Sequence, residues 1–302
     1  MLSPSYLNFL FEGLGQVWEL EELKEISFEA NPATFGESKA RLFKELGINR
    51  ISLGIQSFDN EVLKTLGREH SRREAIESVE LLQGVDFPSV NIDLMFSIPG
   101  QSREVWEETW QTAIGLRPQH ISAYNLTYEE DTAFFESLKK GKYQENPDDD
   151  ADFYELAKSI LTEAGFEQYE TSNYAFEQNY SIHNQAYWFG NDYIGLGPSA
   201  VSTIDGVRSE NIPDTKRYVE QVKVLGNAME GSESLDEQEQ FIERVALELR
   251  TKRGLEERWL DRLNQDKLQS YLKAELLIHQ KGFVRIHEDK NAFVDHIVSE
   301  LI

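Results

Sequence analysis

Five segments of the chain alternate hydrophobic and polar residues with a period of two, which is typical of half-buried β-strands. Between them, stretches such as 37–47 carry hydrophobic residues at helical spacing, and Gly47 supplies a helix stop. The segments with the strand pattern are 25–31, 50–56, 90–96, 120–127 and, less clearly, 166–174. Repeated strand–helix units predict a parallel sheet, either wound or closed into a barrel.

Serine residues mark the expected starts of three helices. Ser3 precedes Pro4, a residue that is favoured at the first helical position. Ser71 and Ser102 each precede a helical pattern, so we expect their hydroxyls to cap these helices.

Three successive strands have one apolar face and one small or polar face. Parallel strands that helices cover are usually apolar throughout, so this alternation needs a reason. A buried carboxylate without partners costs several kcal/mol, and Glu29 and Asp93 lie on the polar face. The pattern predicts an open-lumened barrel with its site at the carboxyl ends of the strands. The polar face comprises Ser27, Glu29, Asn31, Ser52, Gly54, Gln56, Asn91, Asp93 and Met95.

Two interpretations fit these polar residues. Glu29 and Gln56 lie at strand ends, and Arg68 follows the helix after the second strand. Two carboxylates, an amide and a guanidinium suit a small ligand that carries hydroxyl groups and a carboxylate. The alternative is an internal ion pair of Arg68 with Glu29 or Asp93.

The chain changes character along its length, which predicts three regions. Residues 1–174 form the partial barrel, 175–235 a connecting segment that is irregular and Gly-rich from about 175 to 213, and 236–302 a small helical domain. Helical patterns near 236–252, 256–263 and 267–280 precede a short strand, a charged turn and a final helix. This order indicates a winged-helix-like domain with a role in scaffolding or interaction rather than DNA binding.

The composition of the chain excludes several classes of binding partner. The 302 residues include 30 Lys and Arg against 54 Asp and Glu, for a net charge of −24. Such a chain repels phosphate backbones and anionic lipid, so we expect no nucleic acid and no membrane insertion. With no Cys, this sequence supplies neither disulfides nor thiolate metal ligands. The lack of a long apolar run or a secretion signal predicts a cytoplasmic protein.

The segment "HNQAYW" (183–188) combines an imidazole with two large aromatic side chains. If it is helical, His183 and Tyr187 share a face. The segment is either ordinary packing, with His183 bonded to a loop, or one side of a heme pocket. In the second case the imidazole would ligate iron, and Tyr187 and Trp188 would offer flat apolar faces.

Five motifs, in order and spacing, resemble one branch of the radical S-adenosylmethionine (SAM) family. That branch contains oxygen-independent coproporphyrinogen III oxidase and the heme chaperone HemW. The resemblance covers nearly the whole chain, and the His-Asn-x-x-Tyr-Trp segment resembles the motif that marks the chaperones. The motifs are "FEANP" (28–32), "NRISLGIQSF" (49–58), "LGREH" (66–70), "NIDLMFSIPGQ" (91–101) and "YNLTYEEDT" (124–132).

The resemblance implies a SAM site in the barrel. It implies that Glu29 and Asp93 hydrogen-bond the ribose and amino groups of SAM, and that Gln56 and Arg68 contact its sugar and methionyl carboxylate. Further contacts through backbone or apolar surface are implied for two more residues, Thr127 and Val201. For heme, the resemblance implies His183, Tyr187 and Trp188, with His183 as a candidate iron ligand.

The family's reaction needs a [4Fe–4S] cluster on a CxxxCxxC loop and a GGGTP-type turn, and this sequence has neither. We therefore expect an incomplete (βα) barrel that lacks its first two strand–helix units. The expected function is that of a heme-binding chaperone that delivers heme to an unidentified acceptor protein. The alternatives are a coproporphyrinogen oxidase-like radical SAM enzyme, inactive without the cluster cysteines, and a fragment with only interaction surfaces.

Overall fold

The computed structural model describes residues 2–127, 139 and 147–302, except for the side chains of 147–149. The chain divides into two compact units, Met1–Tyr180 and Ser181–Ile302. The finer division at 174 and 235 stays a prediction. None of the described helices is long and apolar enough to cross a membrane.

The first unit combines a mixed sheet with helices. The described helices are α1 (Pro4–Gly15), α2 (Glu37–Glu45), α3 (Asn60–Thr65), α4 (Arg72–Gly84), α5 (Arg103–Gly115) and α6 (Pro147–Glu163), with a 3-10 turn at Leu20–Glu22. The strands are β1 (Ser27–Ala30), β2 (Arg50–Gln56), β3 (Val90–Phe96), β4 (His120–Asn125), β5 (Glu167–Glu170) and β6 (Asn173–Ala175).

The six strands form one sheet in the order β1-β2-β3-β4-β6-β5. β1 to β4 are parallel, as predicted, whereas β6 runs antiparallel to β4 and β5 antiparallel to β6. The expectation of a single strand over 166–174 is therefore wrong. A turn at Thr171 and Ser172 folds this segment into a hairpin.

Local signals in the sequence place the helix ends. The hydroxyl of Ser3 accepts a hydrogen bond from the backbone N–H of Tyr6, and Ser102 caps α5 in the same way. Ser71 and Glu74 form a reciprocal capping box at the start of α4. Gly47 follows α2 with a left-handed φ of 83°, a conformation that favours glycine.

The apolar faces of β2 and β3 make the core of the first unit. Their alternate residues are buried, as the period of two requires. On α5, the rings of Trp106 and Trp110 are also buried and meet edge to face with centroids 4.5 Å apart. The buried residues of the two strands are Ile51, Leu53, Ile55, Val90, Ile92, Leu94 and Phe96.

The second unit contains two three-stranded antiparallel sheets, β7-β8-β9 and β10-β12-β11. Its described helices are α7 (Ile182–Trp188), α8 (Thr215–Leu225), α9 (Glu237–Glu248), α10 (Gln265–Lys273) and α11 (Val294–Leu301), with 3-10 turns at Glu257–Arg262 and Glu288–Phe293. Its strands are β7 (Val201–Ile204), β8 (Val207–Asn211), β9 (Met229–Ser234), β10 (Leu255–Glu256), β11 (Leu277–Gln280) and β12 (Phe283–Ile286).

Two expectations for this unit are wrong. Residues 175–213 are not irregular throughout, because they contain α7 and the hairpin of β7 and β8. The helix expected over 267–280 ends at Lys273, because Leu277–Gln280 pairs with β12. The helices α9, α10 and α11 pack around this small sheet, which agrees with the winged-helix-like architecture.

Candidate functional site

The polar face of the sheet lines up across four parallel strands. Glu29 on β1 is in register with Ser52 on β2, and Ser52 is in register with Asn91 on β3. Asp93 on β3 is in register with Ser122 on β4. The prediction that these polar residues share one face of the sheet is thus confirmed by the register of the strands.

A hydrogen-bond network connects these side chains. The Ser52 hydroxyl donates to one carboxylate oxygen of Asp93 (2.7 Å), and the Asn91 amide donates to the other (2.7 Å). The same amide approaches the hydroxyls of Ser52 (2.6 Å) and Ser122 (3.1 Å). Asp93 is therefore held in one orientation by donors on its own and the neighbouring strand.

Burial dominates the electrostatics at Asp93. It raises the pKa of the carboxyl, and the charge of Glu29 raises that pKa further, while the donors Ser52 and Asn91 oppose the shift. Burial, together with the Asp93 charge, also raises the pKa of Tyr124 on β4 to about 12. A cationic ligand group beside Asp93 would oppose this rise in its pKa.

His120 extends the network inward, away from solvent. Its Nδ1 lies 2.6 Å from Oδ1 of Asn91, which only accepts, so Nδ1 carries the proton. Its Nε2 then accepts from the hydroxyl of Tyr169 at 2.7 Å. Burial, with a smaller contribution from Arg50, lowers the pKa of His120 well below 6.5 and keeps the ring neutral.

His120 is not among the site residues predicted from the sequence. It is buried and orients the amide that holds Asp93. The signal that identifies it is the continued alternation in β4, where His120, Ser122 and Tyr124 occupy the polar parity.

Gln56 ends β2 in an unusual backbone conformation. Its φ is 69°, and the pairing of β2 with β3 shifts register between Leu53 and Gln56. A methyl group added at Gly54 would lie 3.1 Å from Nε2 of Gln56 and 3.2 Å from Oδ1 of Asn31. The side chains of Gln56 and Asn31 therefore converge over Gly54 at the carboxyl ends of β1 and β2.

Arg68 lies half-buried in the loop that follows α3. Nearby, Nε2–H of the buried His70 donates to the carbonyl of Ile55 at 3.0 Å, which ties this loop to the end of β2. Burial and the Arg68 charge both lower the pKa of His70, with burial the larger cause. Within the described first unit, Arg68 forms no ion pair with Glu29 or Asp93, so the internal ion pair is not the arrangement found.

Two residues assigned by resemblance lie in different units. Thr127 is exposed, two residues beyond the end of β4. The rest of that motif, 128–132, lies outside the described residues. Val201 begins β7 in the second unit, where its backbone crowds Gly195 so closely that a methyl group there would lie 2.2 Å from the Val201 carbonyl oxygen. Their roles toward a ligand stay predictions.

The segment 183–188 is helical, as the shared face of His183 and Tyr187 requires. α7 is capped by the buried Ser181, whose hydroxyl accepts from the backbone N–H of Asn184. The rings of His183 and Tyr187 meet edge to face at 4.9 Å, and both side chains are exposed. Trp188 is half-buried.

Tyr193 joins α7 to the neighbouring sheet. Its ring contacts that of Tyr187 at 4.7 Å, and its hydroxyl accepts from Thr203 on β7 at 3.1 Å. The backbones of Tyr193 and Thr203 also pair in an antiparallel bridge. A row of three rings, His183, Tyr187 and Tyr193, therefore has one end fixed to a strand.

A metal cluster has no evident ligands. The sequence contains no Cys, and the described residues contain no group of three or more His, Asp or Glu side chains that would hold a metal ion.

Known families and curated proteins match this chain. A family model described as "Radical SAM superfamily" matches residues 7–113. "Heme chaperone HemW" of Bacillus subtilis is 32% identical over 256 residues, which cover 84% of this chain and 68% of that protein. The Escherichia coli protein of the same name is 40% identical over 202 residues, which cover 66% of this chain. This chain spans about half of that protein's length, 52%.

The solved structure titled as coproporphyrinogen III oxidase (HemN) from Escherichia coli superposes with a TM-score of 0.82. The match covers 99% of this chain and 74% of that one at 21% identity, so it is evidence for the fold. It confirms an α/β fold of the radical SAM type, followed by a smaller C-terminal domain. By its identity to the Bacillus subtilis protein over more than two thirds of the length of each, the chain belongs to the HemW family of radical SAM proteins.

Proposed function

We propose that this chain binds heme on the exposed face of α7, with His183 as iron ligand, and passes the heme to an acceptor protein. The observation that supports this most directly is the edge-to-face pair of His183 and Tyr187, which is exposed rather than packed into the core. The names of the Bacillus subtilis and Escherichia coli relatives support the same function.

The residues present fit a heme. An imidazole nitrogen must be accessible to ligate iron, and His183 is exposed. A porphyrin also needs apolar surface, and Ile182 and Tyr187 on the same helix are 45% and 37% exposed. A bound heme would supply an iron centre, and His183 would supply a nitrogen ligand to it. Tyr187 restricts the rotation of the imidazole through its ring contact.

A heme titration followed by the Soret band tests this proposal. We expect His183→Ala to shift the Soret maximum and to weaken binding by about tenfold or more, because an axial bond is lost. The matched control is His296→Ala, which removes an exposed helical histidine in the same unit. An identical spectrum and affinity in wild type and His183→Ala would refute His183 as the ligand.

We further propose that SAM binds at the carboxyl ends of β1 to β3. Glu29 and Asp93 would hold its amino and ribose groups, and Gln56 and Arg68 its sugar and carboxylate. What supports this is the half-buried guanidinium of Arg68, which has no ion-pair partner among the described residues, in a loop that His70 ties to the end of β2, together with the oriented carboxylate of Asp93 on β3.

Radical chemistry does not follow from this site. A [4Fe–4S] cluster requires thiolate ligands, and the residues of this sequence include none. The oxidase-like alternative therefore has no ligand set here, and the proposed role of the site is binding alone.

Isothermal titration with SAM tests the second site. We expect Asp93→Asn to raise the dissociation constant by about tenfold, because one charge-assisted contact to the ligand is lost. The control is Asp86→Asn, an exposed aspartate with a left-handed φ of 50° that asparagine also tolerates. Equal affinities in the two variants would contradict the assignment of Asp93.

A further inference from the structure

Glu248, the last residue of α9, is a buried carboxylate outside both proposed binding surfaces. Its side chain is 3% exposed, and its Oε1 lies 3.4 Å from a guanidinium nitrogen of Arg244 and 3.4 Å from one of Arg253. Its Oε2 has no hydrogen-bond partner among the described residues. Glu248 is thus held by two arginines, and the backbone N–H of Glu256 also donates to its carboxylate.

Both arginines contact the residues that end α7. The guanidinium carbon of Arg253 lies 3.7 Å from the ring centroid of Phe189. The guanidinium of Arg244 lies against Gly190, so closely that a methyl group there would meet Nη1 at 2.0 Å. Gly190 has a φ of 62°, a left-handed conformation that glycine adopts without strain.

We propose that Glu248, acting through Arg244 and Arg253, is a positioning residue for the His183–Tyr187 pair. This inference rests on the proposed heme function of α7 and assigns a second set of residues to it.

The physical reason lies in the shortness of α7. The helix has seven residues, fewer than a free helix needs for stability, so contacts at its ends determine its direction. Ser181 caps the start, and the row through Tyr193 supports one face. At the C-terminal end of α7, the contacts are made by Phe189 and Gly190. The two arginines that contact them share one counter-ion, the carboxylate of Glu248.

Neutralising Glu248 removes the charge that draws both guanidinium groups together. Desolvation raises the pKa of this carboxyl, and the charges of Arg253 and Arg244 oppose that shift. The two arginines thus favour the ionised carboxylate, and the carboxylate in turn restrains them against Phe189 and Gly190.

Two readouts test the proposal on the full chain: heme affinity from a Soret titration and the ring proton shifts of His183 by NMR without heme. In Glu248→Gln we expect heme affinity to fall by about tenfold, as for other residues that orient a metal ligand. We also expect the His183 ring protons to shift, because their position over Tyr187 changes. The control is Glu243→Gln, on the same helix, which pairs with Arg208 instead.

Unchanged affinity and unchanged His183 shifts in folded Glu248→Gln would overturn the proposal. If wild type binds no heme, the proposed function fails, but the NMR shifts still decide whether Glu248 positions His183. If Glu248→Gln does not fold, Arg253→Ala replaces it, because that variant removes the contact with Phe189 while Arg244 still pairs with Glu248. The same shift of the His183 signals is expected there, and its absence refutes the inference.

Discussion

Arg50 forms a buried ion pair in the first unit, and we expect its removal to destabilise the protein strongly. At the start of β2, its Nε donates to Glu25 at 3.0 Å, and both side chains are only 8% exposed. Its Nη2 donates to the carbonyls of Asn179 (2.8 Å) and Tyr180 (2.9 Å). The Arg50 side chain thus connects the start of β2 with residues about 130 positions further along the chain.

The expected cost of Arg50→Met follows from what it leaves behind. Removing one partner of a buried ion pair costs about 3–5 kcal/mol, because the other charge stays buried. The Nη1 of Arg50 is buried and lacks a partner among the described residues, which already destabilises the native protein. We therefore expect the loss in the free energy of unfolding to fall in the lower half of that range. Arg50→Met/Glu25→Met removes both charges, and we expect it to be at least about 1 kcal/mol more stable than Arg50→Met alone.

Urea unfolding at neutral pH, followed by the fluorescence of the buried Trp106 and Trp110, measures these differences. The control is Arg41→Met, which breaks an ion pair with Glu37 that is more than half exposed and should cost at most about 0.5 kcal/mol. If Arg50→Met is no less stable than Arg41→Met, or if the double variant loses the full sum of the two single losses, the reasoning is wrong.

Three further predictions concern stability and the SAM site. Because the folded state keeps His120 neutral and the unfolded state protonates it, the free energy of unfolding should fall below about pH 6.5 by up to ~1.4 kcal/mol per pH unit. In urea titrations between pH 7.5 and 5.5, His120→Gln should reduce this pH dependence to the smaller contribution of His70. If wild type and variant lose stability equally with falling pH, the assignment to His120 is wrong. Ser71→Ala should lower the free energy of unfolding by about 1 kcal/mol through loss of the cap on α4, and no change in the urea midpoint would exclude that role. Gly54→Ala should weaken SAM binding by displacing the two side-chain amides over it, whereas Gly84→Ala, with open space around it, should not; equal SAM affinities would speak against the proposed site.

The alternation of polar and apolar residues was sufficient to predict the parallel strands and the face they share. This works because side chains of a strand alternate strictly, so parity alone brings Glu29, Ser52 and Asp93 to one side. The starts of helices could also be predicted from local sequence, because a serine caps the helix that directly follows it. The same local rules failed at 166–174 and at 277–280, where pairing with a distant strand decides the structure.

No periodic pattern in the sequence indicates which residues form hydrogen bonds with the buried polar groups. His120 finds Tyr169 from 49 positions away, and Arg50 finds Tyr180 from 130 positions away. Such contacts depend on which strands become neighbours, which local propensity does not encode. The sequence therefore predicted the polar face that carries Glu29 and Asp93, but not the contact of His120 with Asn91 that orients the Asp93 donor.

The two proposed sites differ in how they can be recognised, and this difference has a physical origin. The polar site is assembled from strand parity, so its residues appear at regular spacing along the chain. The proposed heme surface lies on a helix of seven residues, and the residues that follow this helix contact Arg244 on α9 and Arg253, more than 50 positions further along the chain. Its motif can be recognised only by resemblance, because no periodicity marks the side chains that hold it. A substitution at Glu248 would therefore pass unnoticed in a comparison of motifs, although we expect it to impair the same function as one at His183.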